Sequence, residues 1–378
     1  MKRMTADTTE EPGHQSAPAV SLAGSVHELK LPLSDVVVLF ACNEWFVPYL
    51  SVALQSIVEH ASPARRYDVV VLTGGLERAT METLSRQVTR ENFGIGFLDV
   101  AAALRAAKLP RRGRFGAEAS FRLMAPTLLE GVHKAIYLDS DLIVLRDLAE
   151  LFDVELGDEL LLGATRDADT AGIYSGYDTC ARPHIDNVVG LSDPYTYFQS
   201  GVLLLNLEAM RRECPLGDML DYARSNRLRW PDQDVLNHFG AGRYRRLDTR
   251  WNFMTNWQFL RRPRIVAQAP QEIQDDYDAA RLDPYIVHYA GPDGRPWLYP
   301  SCDMAECFWR YAERSPFYEE LQRRLRASWR TPTGLLKRLQ VAFIYKVGMP
   351  AFDAVFPPKT KRRHVVLTAY ERLGGRVA

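Results

Sequence analysis

Short apolar runs alternate with segments of helical hydrophobic spacing through the first part of the chain. The runs that predict strands are residues 35–41, 67–72, 95–100 and 134–138, and the segments that predict helices are residues 49–60, 78–90 and 119–129. Helical segments are recognised by apolar residues that recur every three to four positions. The alternation of strands and helices predicts an α/β fold with a mostly parallel, doubly wound sheet.

The second half of the chain continues this pattern less regularly. Apolar runs at residues 160–164 and 201–205 extend the sheet and can include antiparallel strands, and residues 285–289 predict a last short strand. Residues 167–197 mix Gly, Asp, Pro and Tyr. Because loops of this length in compact domains are usually functional or disordered, we expect a long loop over the functional site there.

The two ends of the chain differ from its body. Residues 1–30 are rich in Thr, Glu, Ser, Pro and Gly and lack the apolar core of a signal peptide, so they predict a disordered leader. After Tyr318 the chain turns basic and helical, and prolines divide it into short pieces. We therefore predict one α/β domain over residues 31–318 and a basic, largely helical C-terminal extension over residues 319–378.

Composition narrows the class of partner. The chain has 378 residues, 47% of them apolar, which supports a sizeable core. Its 47 basic and 47 acidic residues balance, so we expect no nucleic-acid partner. The charge is uneven, because residues 321–378 hold about 13 Lys and Arg and about 2 Asp and Glu.

The basic extension suggests contact with an anionic membrane. Basic residues are attracted to an anionic leaflet, and apolar side chains can insert at its surface. The apolar candidates in this segment are Trp329, Leu335, Leu336, Leu339 and Phe343. A solvated tail, or a face packed on an acidic body, is the ordinary alternative.

The cysteines and the hydropathy favour a cytoplasmic protein. Five cysteines without CxxC spacing predict reduced thiols rather than a disulfide framework or a zinc site. No stretch approaches about 20 uninterrupted apolar residues, and the best candidate, residues 341–356, contains Lys, Pro and Asp. We expect a cytoplasmic protein that can lie peripherally at the inner face of a membrane.

Two carboxylates follow the predicted strand 134–138 directly, in the sequence Asp139-Ser140-Asp141. Ligands of open α/β sheets bind beyond the carboxyl ends of strands. Carboxylate oxygens are hard ligands that suit Mn²⁺ or Mg²⁺. Acidic pairs at strand ends are also common as caps and surface turns, so this DXD motif alone leaves both interpretations open.

Four more pieces of sequence accompany the DXD motif. The five pieces are residues 39–46 (LFACNEWF), 137–144 (YLDSDLIV), 198–206 (FQSGVLLLN), 232–237 (DQDVLN) and 288–297 (HYAGPDGRPW). Together, and in this order, they resemble glycosyltransferase family 8, which includes glycogenin and bacterial lipopolysaccharide galactosyltransferases and glucosyltransferases. The resemblance spans roughly residues 35–300.

The resemblance implies a fold, a reaction and a cofactor. It implies a GT-A type nucleotide-binding fold that transfers a hexose, Gal or Glc, from a UDP-sugar to a glycan acceptor with retention of anomeric configuration. It also implies Mn²⁺ or Mg²⁺ as cofactor and a role in lipopolysaccharide or cell-surface glycan synthesis. With an amide at the position nearest the anomeric carbon, we expect attack from the leaving-group face rather than through a covalent intermediate.

By position, the resemblance makes Asp139, Asp141 and His288 the metal ligands. A histidine in a short apolar run beside an aromatic residue is most often packed in a core, but the Gly291 and Arg295 that follow favour the ligand interpretation. Gly291 and Arg295 would bind the diphosphate, with Arg where the family usually has Lys. Either cation neutralises phosphate, and Arg can do so through a bidentate fork.

Further donor-binding residues are implied by the same resemblance. Ala41, Asn43 and Phe46 fall in the nucleoside-binding piece, where the family commonly has Asp and Tyr instead of Asn and Phe. Asn43 would hydrogen-bond the uracil and Phe46 would stack on it. Ser140 and Arg122 would lie near the donor, although Arg122 could instead be a charge on a helix surface.

The remaining implied residues surround the sugar. Gln233 would lie beside the anomeric carbon, and Asp232 would bind the donor sugar or serve as a fallback nucleophile. Gln199 replaces a family Asn, and its longer side chain would affect which hexose is held. Asp167 would face the acceptor. Carboxylates at a helix N-terminus are also an ordinary capping arrangement, so a structural role for Asp232 stays open.

Other functions compete with sugar transfer. The chain could be a self-glycosylating primer like glycogenin, or a nucleotide-sugar-binding protein without catalysis. A phosphatase of the haloacid dehalogenase type also has two aspartates after an apolar strand, but those enzymes usually continue with Gly or Thr. Here Leu142 and Ile143 follow, which disfavours the phosphatase.

Overall fold

The computed structural model describes residues 35–103, 120–256, 260–291 and 294–373. The predicted leader, residues 1–30, lies outside the described residues. Ten strands occur in the described ranges: β1 Val36–Cys42, β2 Tyr67–Thr73, β3 Phe93–Asp99, β4 Lys134–Leu138, β5 Leu142–Val144, β6 Leu162–Arg166, β7 Phe198–Asn206, β8 Tyr244–Arg246, β9 Phe253–Met254 and β10 Ile286–His288.

Seven of these strands form the central sheet, in the order β3-β2-β1-β4-β7-β6-β8. Strands β1, β2, β3 and β4 run parallel to one another, and β6 runs parallel to β8, whereas β7 is antiparallel to both β4 and β6. The prediction of a mostly parallel sheet with antiparallel additions is confirmed. Strand order reverses between β1 and β4, which is where open α/β sheets bind ligands.

Helices cover both faces of the sheet. Those of the main domain are α1 Val47–His60, α2 Arg78–Gln87, α3 Phe121–Leu128, α4 Leu148–Phe152, α5 Ala168–Gly172, α6 Leu207–Glu213, α7 Leu216–Ser225, α8 Pro231–Phe239 and α9 Gln271–Leu282. Alternate residues of a strand point to opposite faces. Val37 and Leu39 of β1 therefore pack into the core formed with α3, whereas Val38 and Phe40 pack into the core formed with α1.

A small second sheet lies beside the end of β4. Its strand order is β5-β10-β9, with β5 and β10 antiparallel and His288 opposite Leu142. This register brings His288 next to the DXD motif, because Leu142 directly follows Asp141. The sequence did not predict β5 and β9, which have three and two residues respectively.

The prediction of a long loop over residues 167–197 is wrong. The segment is a succession of short helical turns: α5, then Ile173–Tyr177, Thr179–Ala181, His184–Val189 and Pro194–Thr196. Their apolar side chains are buried in small cores of their own. Each turn is shorter than the window over which helical periodicity can be recognised, so the sequence showed only the glycines, prolines and aspartates between them.

The C-terminal region is helical, as predicted. Its helices are α10 Ala305–Ala312, α11 Tyr318–Arg330, α12 Pro332–Phe343, α13 Met349–Val355 and α14 Lys361–Arg372. Helices α10 and α11 pack against α1, and α14 packs against the turn Thr179–Ala181. Within the described ranges, none of the helices has both the length and the apolar character needed to cross a bilayer.

Candidate active site

The candidate site lies at the carboxyl ends of β1 and β4. The Ser140 hydroxyl donates a hydrogen bond to the Ala41 carbonyl over 3.2 Å, which joins the two strand ends. The Asp139 amide donates to the Gly201 carbonyl of β7 over 2.8 Å. Three neighbouring strands thus fix the backbone of the DXD motif.

Asp139, Asp141 and His288 converge at this point. His288 Nε2 lies 3.3 Å from Asp141 Oδ1 and 3.7 Å from Asp139 Oδ2, and one ligand atom of each residue lies within 4.8 Å of the others. Burial opposes ionisation of Asp141, but His288 and Arg295 outweigh it and hold the pKa of Asp141 below its ordinary value. Two carboxylates and one imidazole are a donor set that fits Mn²⁺ or Mg²⁺.

A chain of hydrogen bonds fixes the orientation of His288. The Gly201 amide donates to Gln199 Oε1 over 2.5 Å, and Asn252 Nδ2 donates to the same oxygen over 2.6 Å. The oxygen of Asn252 therefore faces His288 Nδ1, 2.9 Å away, and accepts a hydrogen bond from it. In the neutral imidazole the lone pair on Nε2 then points at the two carboxylates, which is the arrangement of a metal-binding histidine.

Gly201 leaves the space into which these groups point. A Cβ at this position would lie 2.4 Å from His288 Cε1 and 2.6 Å from Asp139 Oδ2. Both distances are far below van der Waals contact, so a side chain here would fill the centre of the cluster. The missing Cβ provides a second indication that the cluster accommodates an ion.

Arg122 is a buried cation inside the site. Arg122 is only 5% exposed, so the alternative that it is a charge on a helix surface is wrong. Its guanidinium lies 2.7 Å from Asp139 Oδ1 and 3.2 Å from Asp232 Oδ2, and it also donates to the Ser200 carbonyl. Burial lowers the pKa of Arg122, but Asp139, Tyr137 and Asp232 more than offset this and raise it. Arg122 thus connects the DXD motif to helix α8.

The carboxylates at the start of α8 have different partners. Asp234 accepts hydrogen bonds from the backbone amides of Arg229 and Trp230 over 2.8 and 2.9 Å, so it closes the turn before the helix. Asp232 instead accepts from the Ser200 hydroxyl over 3.1 Å and pairs with Arg122. Asp234 therefore has the structural role at this helix start, whereas the side chain of Asp232 lies in the candidate site.

Gln233 is held at both ends of its amide. Its Oε1 accepts from the Ser200 amide over 3.0 Å, and its Nε2 donates to Asp167 Oδ2 over 2.9 Å. Asp167 also caps α5 by accepting from the Thr170 amide over 3.0 Å. Burial, together with the nearby Asp169, raises the pKa of Asp167 to about 6. Burial, together with Asp139, also raises the pKa of Asp232, although Arg122 opposes it.

Gly291 and Arg295 lie on the other side of the DXD motif. Gly291 has a φ of 112°, a conformation that favours glycine. Arg295 Nη2 is 3.5 Å from Asp141 Oδ2. Arg295 Nε is buried and has no hydrogen-bond partner among the described residues. Because buried polar groups are normally satisfied, this donor indicates a position for a bound anion.

Asn43 and Phe46 lie between the end of β1 and the start of α1. Asn43 Oδ1 accepts from the Phe46 amide over 3.2 Å, and the ring of Phe46 packs edge-on against Tyr49 at 5.7 Å. Both residues are half-buried. They therefore stabilise the local turn as well as bordering the site.

Asn252 is a site residue that the sequence analysis missed. Its partner His288 is 36 positions away, and the contact depends on the small sheet that the sequence did not predict. Ser200 and Gly201 lie in the recognised piece 198–206, but no role was assigned to them. Their importance comes from their position in β7, directly beside the DXD motif and Gln233.

Solved structures with the same fold are GT-A glycosyltransferases. The galactosyltransferase LgtC, solved in complex with donor and acceptor sugar analogues, matches with a TM-score of 0.62 and 26% identity over 74% of this chain and 96% of LgtC. The bifunctional glycosyltransferase WbbM matches with a TM-score of 0.69 and 24% identity over 78% of this chain and about half, 53%, of WbbM. The fold is therefore that of the GT-A class.

The sequence identifies the family within this class. The model of glycosyl transferase family 8 matches residues 37–301, and the chain belongs to this family. General stress protein A of Bacillus subtilis is 23% identical over 64% of this chain and 80% of its own length. Glycosyltransferase GlyF of Streptococcus pneumoniae is 25% identical over 73% of this chain and 61% of GlyF. The resemblance found in the sequence is confirmed, and the phosphatase alternative loses its support.

Gly201→Ala is expected to weaken Mn²⁺ binding by at least about tenfold, because the new methyl group would fill the space between Asp139 and His288. Calorimetric titration with Mn²⁺ in the presence of UDP would measure this. Gly217→Ala is a matched control, since a Cβ there has nothing within 4 Å. A folded Gly201→Ala protein that binds Mn²⁺ as tightly as the wild type would contradict the proposed position of the ion.

Asp167→Asn is expected to remove a pH dependence of stability. The folded state raises the pKa of this carboxyl from 3.8 to about 6, so it binds the proton more tightly than the unfolded chain does. The free energy of unfolding therefore falls as pH rises from about 4 to about 6, by up to about 3 kcal/mol.

Urea unfolding of both proteins from about pH 4 to about pH 7 tests this. Relative to the wild type, Asp167→Asn should gain stability as pH rises, by an amount of this order. A difference between the two proteins that stays constant over this range would show that Asp167 does not titrate in the folded state as described.

Proposed function

We propose that the protein is a metal-dependent, retaining hexosyltransferase that moves Gal or Glc from a UDP-sugar to a glycan acceptor. The convergence of Asp139, Asp141 and His288 at the end of β4, around the space left by Gly201, is the observation that carries this proposal. Family membership supports sugar transfer as the reaction class. The hexose, the nucleotide and the cation are part of the proposal.

The metal side of the site would bind the diphosphate. Asp139, Asp141 and His288 would hold Mn²⁺ or Mg²⁺, and such a cation neutralises and orients a departing diphosphate. Arg295 would add a second positive charge on the same group. Its Nε, which has no hydrogen-bond partner within the described part of the chain, would donate to a phosphate oxygen. The backbone at Gly291 would approach the phosphates closely, since no side chain intervenes.

The nucleoside would lie at the end of β1. Ala41, Asn43 and Phe46 border that position, and Ser140 lies between it and the metal side. Phe46 would stack on the base, and the side-chain amide of Asn43 would form a hydrogen bond with the edge of the base. The half-burial of both side chains leaves surface for these contacts.

The sugar would lie between α8 and β7. Asp232 would bind its hydroxyls, and Gln233 would lie beside the anomeric carbon. Gln199 would influence the choice of hexose indirectly, because its side-chain oxygen already accepts a hydrogen bond from Asn252. Asp167, which accepts a hydrogen bond from Gln233, would face the acceptor.

Front-face attack fits these contacts. Gln233 Oε1 accepts a hydrogen bond from the Ser200 amide, and an amide oxygen is in any case a weak nucleophile. Asp232 is paired with Arg122 and Ser200, which reduces its nucleophilicity. The bond from the anomeric carbon to the diphosphate would break with its electron pair on the leaving oxygen. The acceptor oxygen would bond the same face, and its proton would pass to the diphosphate.

A lipopolysaccharide or other cell-surface glycan is the proposed acceptor. The enzyme would bind this acceptor at the surface of an anionic membrane. Four apolar side chains of α12 are at least half exposed: Leu335 50%, Leu336 67%, Leu339 60% and Phe343 62%. They recur at helical spacing, so they form one face of the helix. With the basic residues of the extension, this face fits a helix lying at a lipid surface.

Hydrolysis of a UDP-sugar panel, with and without Mn²⁺, tests the proposed reaction, because water can replace the acceptor. We expect UDP release from UDP-galactose or UDP-glucose that depends on Mn²⁺ and falls at least about a hundredfold in Asp141→Ala. The exposed Asp158→Ala is the matched control. Absence of UDP release from every donor by folded protein would contradict the proposal, as would hydrolysis that survives in Asp141→Ala.

Leu336→Ser/Leu339→Ser is expected to reduce binding to anionic phospholipid vesicles by about tenfold, because two apolar side chains no longer insert. The matched control is Leu282→Ser/Leu373→Ser, which changes two leucines that are 84% and 87% exposed elsewhere. Co-sedimentation at increasing salt would separate the apolar contribution to vesicle binding from the electrostatic one, because salt screens only the electrostatic contribution. Equal binding by the wild type and both variants would contradict a membrane role for α12.

A further inference from the structure

We propose that helix α14 is a positioning element that clamps the two chain segments which carry the sugar-side residues of the site. The inference rests on the proposed function for the roles of Asp167, Asp232 and Gln233. Helix α14 lies beyond the family match, which ends at residue 301. The clamp is therefore formed by a helix outside the matched region.

Arg363 is the first contact of the clamp. Its residue is 2% exposed, and its Nε donates to the Tyr177 carbonyl over 2.7 Å. Its Nη1 lies 2.7 Å from Asp353 Oδ1, and its guanidinium lies 4.8 Å from the ring centroid of Tyr177 and 5.1 Å from that of Phe352. A buried guanidinium with these partners fixes the start of α14 on the turn Ile173–Tyr177.

The turn before α14 fits the same segment closely. The Lys359 amide donates to the Gly176 carbonyl over 3.1 Å. A Cβ at Gly176 would lie 2.3 Å from Lys359 Cγ, so the side chain of Lys359 packs over Gly176 in space that a side chain at position 176 would occupy. Thr360 then caps α14 by accepting from the Arg363 amide over 3.3 Å.

Two further contacts lie along α14. His364 Nδ1 is 2.8 Å from the Thr179 hydroxyl, and the Thr368 hydroxyl is 3.2 Å from Cys180 Sγ. Together with Arg363, these side chains lie on one face of the helix, at positions 363, 364 and 368. This face covers the turn Thr179–Ala181.

The last turn of α14 reaches the second segment. Glu371 Oε1 lies 3.1 Å from Arg229 Nη1, and Arg229 Nη2 lies 2.7 Å from Asp178 Oδ2. The side chain of Asp178 is fully buried, and that of Arg229 is 14% exposed. Arg229 therefore binds α14, the segment 173–181 and its own turn at once.

Both clamped segments lead directly to the site. The segment 173–181 continues α5, whose N-cap is Asp167. Arg229 lies in the turn that Asp234 closes, immediately before Asp232 and Gln233. The two segments meet in the hydrogen bond from Gln233 to Asp167, so the clamp sets the geometry of that contact.

The metal side has different supports. The backbone of Asp139 and Asp141 is held by β4 and β7, and His288 is held by β10 and Asn252. Arg122, which pairs with both Asp139 and Asp232, lies on α3, outside the clamped segments. Loss of the clamp should therefore displace the sugar-side residues and spare the binding of metal and UDP. A displacement of about 1 Å in an active site can lower a rate by up to about a hundredfold.

Arg363→Met, compared with Arg362→Met, tests the clamp. Both variants make the same chemical change at adjacent positions of α14, but Arg362 is exposed. In Arg363→Met we expect faster amide hydrogen exchange in residues 173–181 and 229–237, and kcat for hydrolysis of UDP-galactose or UDP-glucose reduced about tenfold. The affinity for UDP in the presence of Mn²⁺ should stay within about twofold of the wild type. Glu371→Gln, a milder change, should show the same pattern to a smaller extent.

The outcomes separate the clamp from the proposed reaction. Unchanged hydrogen exchange in both segments would overturn the clamp, as would faster exchange without a fall in kcat. Equal losses of UDP affinity and kcat would show a general structural role and would also overturn it. If the wild type hydrolyses no UDP-sugar, the proposed function fails, and faster exchange confined to the two segments would still support the clamp.

Discussion

The buried guanidinium of Arg122, paired with Asp139 and Asp232, is the interaction on which the site depends. A buried charge is costly unless it is paired, and removal of one partner leaves the others uncompensated. Arg122 thereby ties the end of β4 to the start of α8 through its ion pairs with Asp139 and Asp232. The guanidinium of Arg122 thus contacts both the metal side of the site, at Asp139, and the sugar side, at Asp232.

The two sides are built differently. The metal side lies on strand ends of the central sheet and on the small β5-β10-β9 sheet, whose backbone hydrogen bonds fix it firmly. The sugar side lies on α8 and on short helical turns, which have little stability of their own. A C-terminal helix that packs against those turns supplies the stability they lack, and α12 of the same extension presents its apolar face to the surroundings.

Local pattern was sufficient for the sheet and the DXD motif, because long apolar runs and a strand-end acidic pair can be read from neighbouring residues. The family resemblance supplied His288, Gln233 and the other distant residues. What could not be predicted depends on contacts between distant parts of the chain. The orientation of His288 needs Asn252, 36 positions away, and the burial of Arg363 needs Tyr177, 186 positions away. Residues 167–197 were misjudged because their helices are single turns.

The central claim is that His288 binds the cation through Nε2, together with the two aspartates. Pulsed electron paramagnetic resonance of Mn²⁺ on protein labelled with ¹⁵N-histidine measures this directly, because a bound imidazole gives a nitrogen coupling to the metal. We expect that coupling in the wild type and in the exposed control His133→Ala, and its loss in His288→Ala. Absence of the coupling in the wild type, or its persistence in His288→Ala, would contradict the proposed metal site.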